Sequence, residues 1–192
     1  LLGSLSFAII VSKLTLGKDI RNYGSGNAGL TNAYRTMGAK KTLLVLLGDI
    51  AKGAAAVSIG MVLAGPVGKL TAGIFVILGH MFPLYFGFKG GKGVLVGAGA
   101  ALATEPLVCA VLLAIFLIEV AVTRVVSLGS IIIAALYPVG TLINLVARGA
   151  NAATIVFSTV CCVIMAAMVI WLHRSNIERL KNGTEYRFGQ KK

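Results

Sequence analysis

Acidic side chains are rare in this sequence. Asp and Glu number 6 among 192 residues, and charged residues of both signs reach only 12%, where a soluble domain carries about 25%. The apolar fraction is 57% and the mean hydropathy is +0.91. A soluble core of this size has no room for so much apolar surface, and a disordered chain is excluded by the same composition. Histidine is confined to His80 and His173. The three cysteines, Cys109, Cys161 and Cys162, lie in apolar runs without CxxC or Cys/His spacing, which argues against a disulfide framework or a zinc site. Carboxylates form no cluster either, so neither a metal nor a cofactor is expected. The class that remains is an all-α, polytopic membrane helix bundle, in which 24 glycines suit helices that approach closely in lipid.

Positive charge is plentiful by contrast. Lys and Arg total 18, for a formal net charge of +12. Cytoplasmic loops of membrane proteins collect such residues, and anionic lipid favours them. An anionic substrate is the third reading. A chain mostly inside the bilayer makes nucleic acid a poor partner, and none is expected.

Apolar runs cover about residues 1–17, 42–64, 70–86, 107–123, 128–147 and 152–172, with a shorter run at 94–103; a straight crossing takes roughly 20 residues. The first run lacks a small-residue cleavage site and reads as a trimmed first span rather than a signal peptide. Counting 94–103 as a short crossing predicts about seven transmembrane helices, one of them short, in a single domain over 1–192. With the N-terminus outside, the outer turns 65–69, 104–106 and 148–151 hold 2 basic residues, Lys69 and Arg148. The inner segments hold 14, from Lys18 and Arg21 to Lys191 and Lys192, while Lys13 and Lys52 sit in spans. This asymmetry predicts a cytoplasmic C-terminus. It also places the segments rich in Gly, Ser, Asn, Arg and Lys on the cytoplasmic face.

Four of those segments have residues that suit chemistry. Gly24-Ser25-Gly26-Asn27-Ala28-Gly29-Leu30-Thr31-Asn32-Ala33-Tyr34-Arg35 combines glycines, small polar donors and one Arg, with Thr31 and Arg35 on one face if a helix starts there. Phosphate suits such a set, and so does an ordinary helix-capping loop. Phe86-Gly87-Phe88-Lys89-Gly90-Gly91-Lys92-Gly93 flanks Lys92 with glycines. It is not a Walker A loop, because Phe86 replaces the first glycine and no Ser or Thr follows Lys92. Gly93 and Gly97 also form a GxxxG, which reads as helix packing. Thr123-Arg124-Val125-Val126-Ser127-Leu128-Gly129-Ser130 offers hydroxyls and an Arg at a turn, with anchoring equally open. In the tail His173–Glu185, a helix would bring His173, Asn176 and Lys181 near one stripe; a basic helix lying on the surface fits as well. Asp49 and Lys52 are expected to pair on one helix face, Glu119 to pair with Arg124 or another cation, and His80 to take a hydrogen-bonded structural role or act as a base.

Taken in order, Gly24–Arg35, Asp49-Ile50-Ala51-Lys52-Gly53, Gly79–Gly93, Arg124–Ser130 and His173–Glu185 make the chain resemble the bacterial acyl-phosphate:glycerol-3-phosphate acyltransferases. Ser6 stands where that family usually has proline, Leu95-Val96 where it has Ala-Thr, and Leu30 where it has a smaller residue. The resemblance implies transfer of a fatty acyl group from acyl-phosphate, not acyl-CoA, to the 1-hydroxyl of glycerol 3-phosphate. The products would be 1-acylglycerol 3-phosphate and phosphate. It also implies a bacterial plasma membrane location with the site facing the cytoplasm. Arg35 and Lys92 would neutralise phosphate and oxyanion charge. Ser25, Asn27, Thr31, Asn32 and the amides of Gly26, Gly90, Gly91 and Gly93 would orient the substrates. Ser130, His173 and Asn176 would complete the acceptor site, with the proton passing to His173 or to the donor's own phosphate. A different class, an organophosphate transporter or permease, would use the same basic groups but needs alternating access, which the plain outer turns do not favour.

Overall fold

The structure is a computed structural model that describes residues 1–189. Every regular element among these residues is helical. They form two compact units, Leu1–Thr104 and Glu105–Lys192.

In the first unit, α1 (Phe7–Leu16) follows the extended Ser6 and stops at Gly17, φ +64°. α2 (Leu30–Met81) runs for 52 residues but is broken twice, at Gly38 (φ 75°, ψ 174°) and at Ala64–Gly65. Pro66 follows the second break, in the first turn of a new helix, where its missing N–H costs nothing. The chain reverses there, because Gly60 and Gly68 lie so close that a Cβ on either would strike the other's carbonyl oxygen. The two resulting helices, 39–63 and 66–81, match the predicted second and third spans. α3 (Val94–Thr104) has 11 residues and lies against 39–63: a Cβ on Gly53 would strike the Val96 carbonyl, and one on Gly99 the Ile50 carbonyl. These glycines, rather than the expected Gly93 and Gly97, make the close approach. Gly97 has only an ordinary contact with Ile77, and Gly93 sits at φ +83°, a turn position.

The expected first span is corrected. Its helix has only 10 residues, about 15 Å, so two apolar helices are short rather than one. Leu5 and Ser6 are extended, and the preceding turn Leu2–Ser4 packs instead on α2, where Gly3 meets Val76 and Gly79. Ala8, Ile9 and Val11 of α1 join Ile20, Ala28, Ala33 and Val45 in a buried core, which fixes the loop 17–29 over the start of α2.

In the second unit, α4 (Pro106–Thr123), α5 (Val126–Ala147) and α6 (Ala152–Leu172) are each long and apolar enough to cross a membrane. α4 starts on proline and ends on Arg124 in the left-handed conformation, φ 61°. α6 starts on Asn151, whose side chain accepts from the Thr154 N–H at 2.9 Å. The short α7 (Arg174–Lys181) turns off after His173. The segment after it returns to the α4–α5 turn, where the Phe188 N–H donates to the Arg124 carbonyl at 2.6 Å. Glu119 has Thr123 as its partner rather than a cation: the Thr123 hydroxyl donates to Glu119 Oε1 at 2.6 Å, closing one helical turn within the same unit. Lys191 and Lys192 lie outside the described residues.

Candidate active site

In the first unit, both glycine-rich segments lie at the same end. Gly24 and Gly26 adopt φ +62° and +71°, so the chain turns twice before α2 begins at Leu30, capped by Gly29. The fold of this loop is written by Asn32. Its amide donates to the carbonyls of Ile20, Tyr23 and Asn27 at 3.2, 3.0 and 3.0 Å, and its Oδ1 accepts from the Ser25 N–H at 2.9 Å. With 1% of its surface exposed, Asn32 builds the loop. Ser25 and Gly26 are left exposed, and Asn27, Thr31 and Arg35 half-buried.

The second segment shows a different use of glycine from the expected one. The N–H groups of Gly90 and Gly91 donate to the carbonyls of Met81 and His80, each at 3.1 Å, and that of Gly26 to Tyr23 at 3.0 Å. These three amides are therefore committed to the backbone and not open to a phosphate. Gly90 and Gly91 are needed for space: a Cβ on Gly90 would overlap the His80 carbonyl, and one on Gly91 would overlap His80 Nε2 and meet the Ala28 carbonyl at 2.6 Å. Ala28 belongs to the first segment, so Gly91 packs the two loops together. Lys92 and Gly93 follow at once, at the N-terminus of α3, where the first-turn N–H groups of a helix have no intrahelical partner.

In the sequence Arg21 stands out only as loop charge. Its Nη1 donates to the carbonyls of Phe86 and Lys89 at 2.6 and 3.1 Å, while Nε and Nη2 hold Asp19 Oδ1 and Oδ2 at 3.0 and 2.8 Å. Arg21 thus braces the second loop against the first. Hydrogen bonding from Arg21 holds the Asp19 carboxyl below the usual range, against the opposing effect of burial. The pair borders a crevice of about 510 Å³, lined also by Gly26, Lys89 and Gly90. Asp19-Ile20-Arg21 was the available signal, since Asp19 is one of only 6 acids in the chain.

In the second unit, His173 and Asn176 are buried at 3% and 5% exposure, while Lys181 is exposed and leaves the expected stripe. His173 Nδ1 lies 2.8 Å from the Val169 carbonyl. A carbonyl only accepts, so the neutral ring carries its proton on Nδ1 and its lone pair on Nε2. Ser130 is buried and its hydroxyl donates to the Val126 carbonyl at 2.8 Å, so its proton serves its own helix. The organising group is Glu185, whose Oε1 accepts from Ser127 Oγ at 2.9 Å and Asn176 Nδ2 at 2.7 Å, with Oε2 taking Arg179 Nε at 2.7 Å. Burial alone would raise its carboxyl, but these three hydrogen bonds outweigh burial and hold it below its ordinary value.

A sequence model of the family described as glycerol-3-phosphate acyltransferase matches residues 1–183, across both units. The chain belongs to the glycerol-3-phosphate acyltransferase family. Family members of that name from Syntrophomonas wolfei and Clostridioides difficile are 42% and 43% identical over the whole of this chain, which spans 94% and 93% of theirs. Two crystal structures of PlsY, an integral membrane glycerol 3-phosphate acyltransferase, superpose with TM-scores of 0.85 and 0.84. They are 37% and 34% identical, and each comparison covers 98% of this chain and 91% of the other. One is the glycerol 3-phosphate form of that protein and the other its lysophosphatidic acid form. Family membership makes this chain a membrane acyltransferase, and the permease reading is not carried further.

Proposed function

We propose that residues 1–192 form one acyltransferase domain that moves a fatty acyl group from acyl-phosphate to the 1-hydroxyl of glycerol 3-phosphate at the cytoplasmic face of a bacterial plasma membrane. The observation that carries this reading is the packing of Gly91 against Ala28. It holds two cation-bearing, glycine-rich segments at one end of the first unit. Lys92, Gly93 and the first amides of α3 make a cradle for phosphate oxygens, and Arg35, one helical turn from Thr31 on α2, supplies the second cation. Neither role uses a protein nucleophile, a metal or a cofactor, because acyl-phosphate is a mixed anhydride with a good leaving group.

In the reaction, the 1-hydroxyl oxygen bonds to the acyl carbonyl carbon. The bond from that carbon to the phosphate oxygen breaks, and its electron pair leaves with inorganic phosphate. Cations aimed at the phosphate and the developing oxyanion stabilise this charge where it forms. The hydroxyl proton passes to an oxygen of the departing phosphate in this scheme. The test is an assay of purified protein with glycerol 3-phosphate and palmitoyl phosphate, run beside palmitoyl-CoA, with and without EDTA. Turnover with the acyl-phosphate alone, unchanged by EDTA, is expected. Equal turnover with the thioester, or loss of activity in EDTA, would refute the reading.

A further inference from the structure

A buried charge network in the first unit lies outside the acyl-transfer scheme above. Asp49, Lys52 and His80 are 1%, 4% and 3% exposed. Lys52 Nζ lies 2.7 Å from Asp49 Oδ1, 2.6 Å from the Leu5 carbonyl oxygen and 2.9 Å from His80 Nδ1. An ammonium group has three hydrogens and no lone pair, and here three acceptors surround it. Since Lys52 can only donate, His80 Nδ1 must accept. The imidazole is then neutral, with its hydrogen on Nε2.

That Nε2 edge faces the glycine loop. Gly91 lies so close to it that a Cβ would overlap Nε2. The main chain of the same residue anchors the loop as well, because the His80 carbonyl accepts the Gly91 N–H at 3.1 Å. Gly90 to Gly93 is therefore laid on His80 through both its ring and its backbone. A reversed tautomer would turn an N–H toward Lys52 and force the ring, the ion pair or the loop to move.

We propose that His80 is a positioning residue for acyl transfer: the Asp49–Lys52 pair locks its Nε2–H tautomer, and the locked ring sets the place of Gly91 and hence of Lys92. This rests on the reading of Lys92 and the start of α3 as the phosphate cradle. Misplacing a reacting group by about 1 Å costs on the order of 100-fold in rate, so a loosened loop has a kinetic signature that leaves the fold intact.

The chain has only two histidines, so the ring nitrogens of the protein labelled with ¹⁵N-histidine in detergent micelles can be assigned using a His173→Asn variant. The expected spectrum has one ring protonated on Nε2 (His80) and the other on Nδ1 (His173). A His80 ring protonated on Nδ1, or on both nitrogens near neutral pH, overturns the proposal. The double variant Asp49→Asn/Lys52→Met removes the lock without leaving one buried charge alone. It should show mixed tautomers for His80 and a fall in kcat/KM of about 10- to 100-fold, with the KM for glycerol 3-phosphate raised. His80→Asn, which keeps an acceptor near the Nδ1 position, should retain more activity than His80→Leu, and this pair decides the kinetic question if the double variant does not fold. Wild-type kcat and KM in the double variant, or equal losses in the Asn and Leu variants, overturn the positioning role alone. A Lys92→Ala variant with the wild-type rate overturns the cradle reading and with it the route to Lys92.

Discussion

Removing the Glu185 carboxylate should loosen the α7 end of the second unit by an amount that follows from its three partners. Ser127 and Asn176 are buried at 8% and 5% exposure, whereas the Arg179 side chain is 45% exposed. In Glu185→Ala, Ser127 and Asn176 each lose an acceptor in a place that water reaches poorly. A buried donor left without its partner costs about 1–3 kcal/mol, so two together should cost roughly 2–4 kcal/mol once local relaxation is allowed. Arg179 turns to solvent, and its pair adds at most a few tenths of a kcal/mol.

Glu185→Gln separates shape from charge. Its amide oxygen still serves Ser127 and Asn176, while its NH₂ faces the Arg179 guanidinium, donor against donor. Arg179 can swing away, so this variant should lose about 1 kcal/mol, the charge-assisted part of the two remaining bonds. The measurement is reversible denaturation in detergent for wild type, Glu185→Ala, Glu185→Gln and Arg179→Ala, with initial rates alongside. Stability should fall in the order wild type, Arg179→Ala, Glu185→Gln, Glu185→Ala, and the rate of Glu185→Ala should fall with its stability. If Glu185→Ala proves as stable as Arg179→Ala, the carboxylate is not the organiser described here.

Arg35→Ala and Lys92→Ala should each lower turnover about 100- to 1000-fold, the usual loss for one charge-stabilising donor, in protein that remains folded; Lys92→Arg should recover only part of it, since a planar fork does not replace a point charge. Near-normal rates in both alanine variants would mean that these residues only anchor loops at the lipid surface. Arg21→Ala should raise the KM for glycerol 3-phosphate, because the carbonyls of Phe86 and Lys89 lose their brace, and unchanged steady-state constants would refute this. Gly99→Ala should destabilise the first unit by about 1–3 kcal/mol through overpacking against the Ile50 backbone, read as an earlier unfolding midpoint. Acid should act late: Asp19 and Glu185 both hold lowered carboxyl values, so their stabilisation is complete above the unfolded value near pH 4 and fades only as pH falls through the still lower folded values. Thermal stability that declines between pH 7 and pH 5 in wild type but not in an Asp19→Asn/Glu185→Gln double variant would contradict that sign.

The spans were legible in the sequence because lipid imposes a length and an apolar composition on each one, and both can be read residue by residue. The reversal at Gly65-Pro66 and the ends of α4, α5 and α6 fell within a few residues of the hydropathy boundaries. Partners across the fold were not legible. Lys52 and His80 are 28 positions apart, Arg21 and Phe86 65, and Ser127 and Glu185 58. Helical periodicity shows which face a side chain occupies, not which distant carbonyl or carboxylate completes it. Glu119 shows the same limit at short range: a cation nearby in the sequence suggested an ion pair, and a hydroxyl one helical turn away supplied the hydrogen bond instead.

Glycine posed a sharper problem, because one letter stands for two opposite uses. A glycine can leave its N–H open to an anion, or it can let other atoms come where a Cβ would stand. The run Gly90-Gly91-Lys92-Gly93 resembles the first use, with the amides of Gly90, Gly91 and Gly93 expected to orient the substrates. The backbone assigns Gly90 and Gly91 to the second use: their amides are bonded to Met81 and His80, and their missing Cβ atoms admit His80 and the Ala28 carbonyl. α3 begins at Val94, two residues after Lys92, and the first N–H groups of a helix have no intrahelical partner. The two leading glycines therefore work as a wedge between His80 and Ala28. The wedge explains why two glycines precede the lysine, and the helix that follows is where the proposed phosphate cradle would lie.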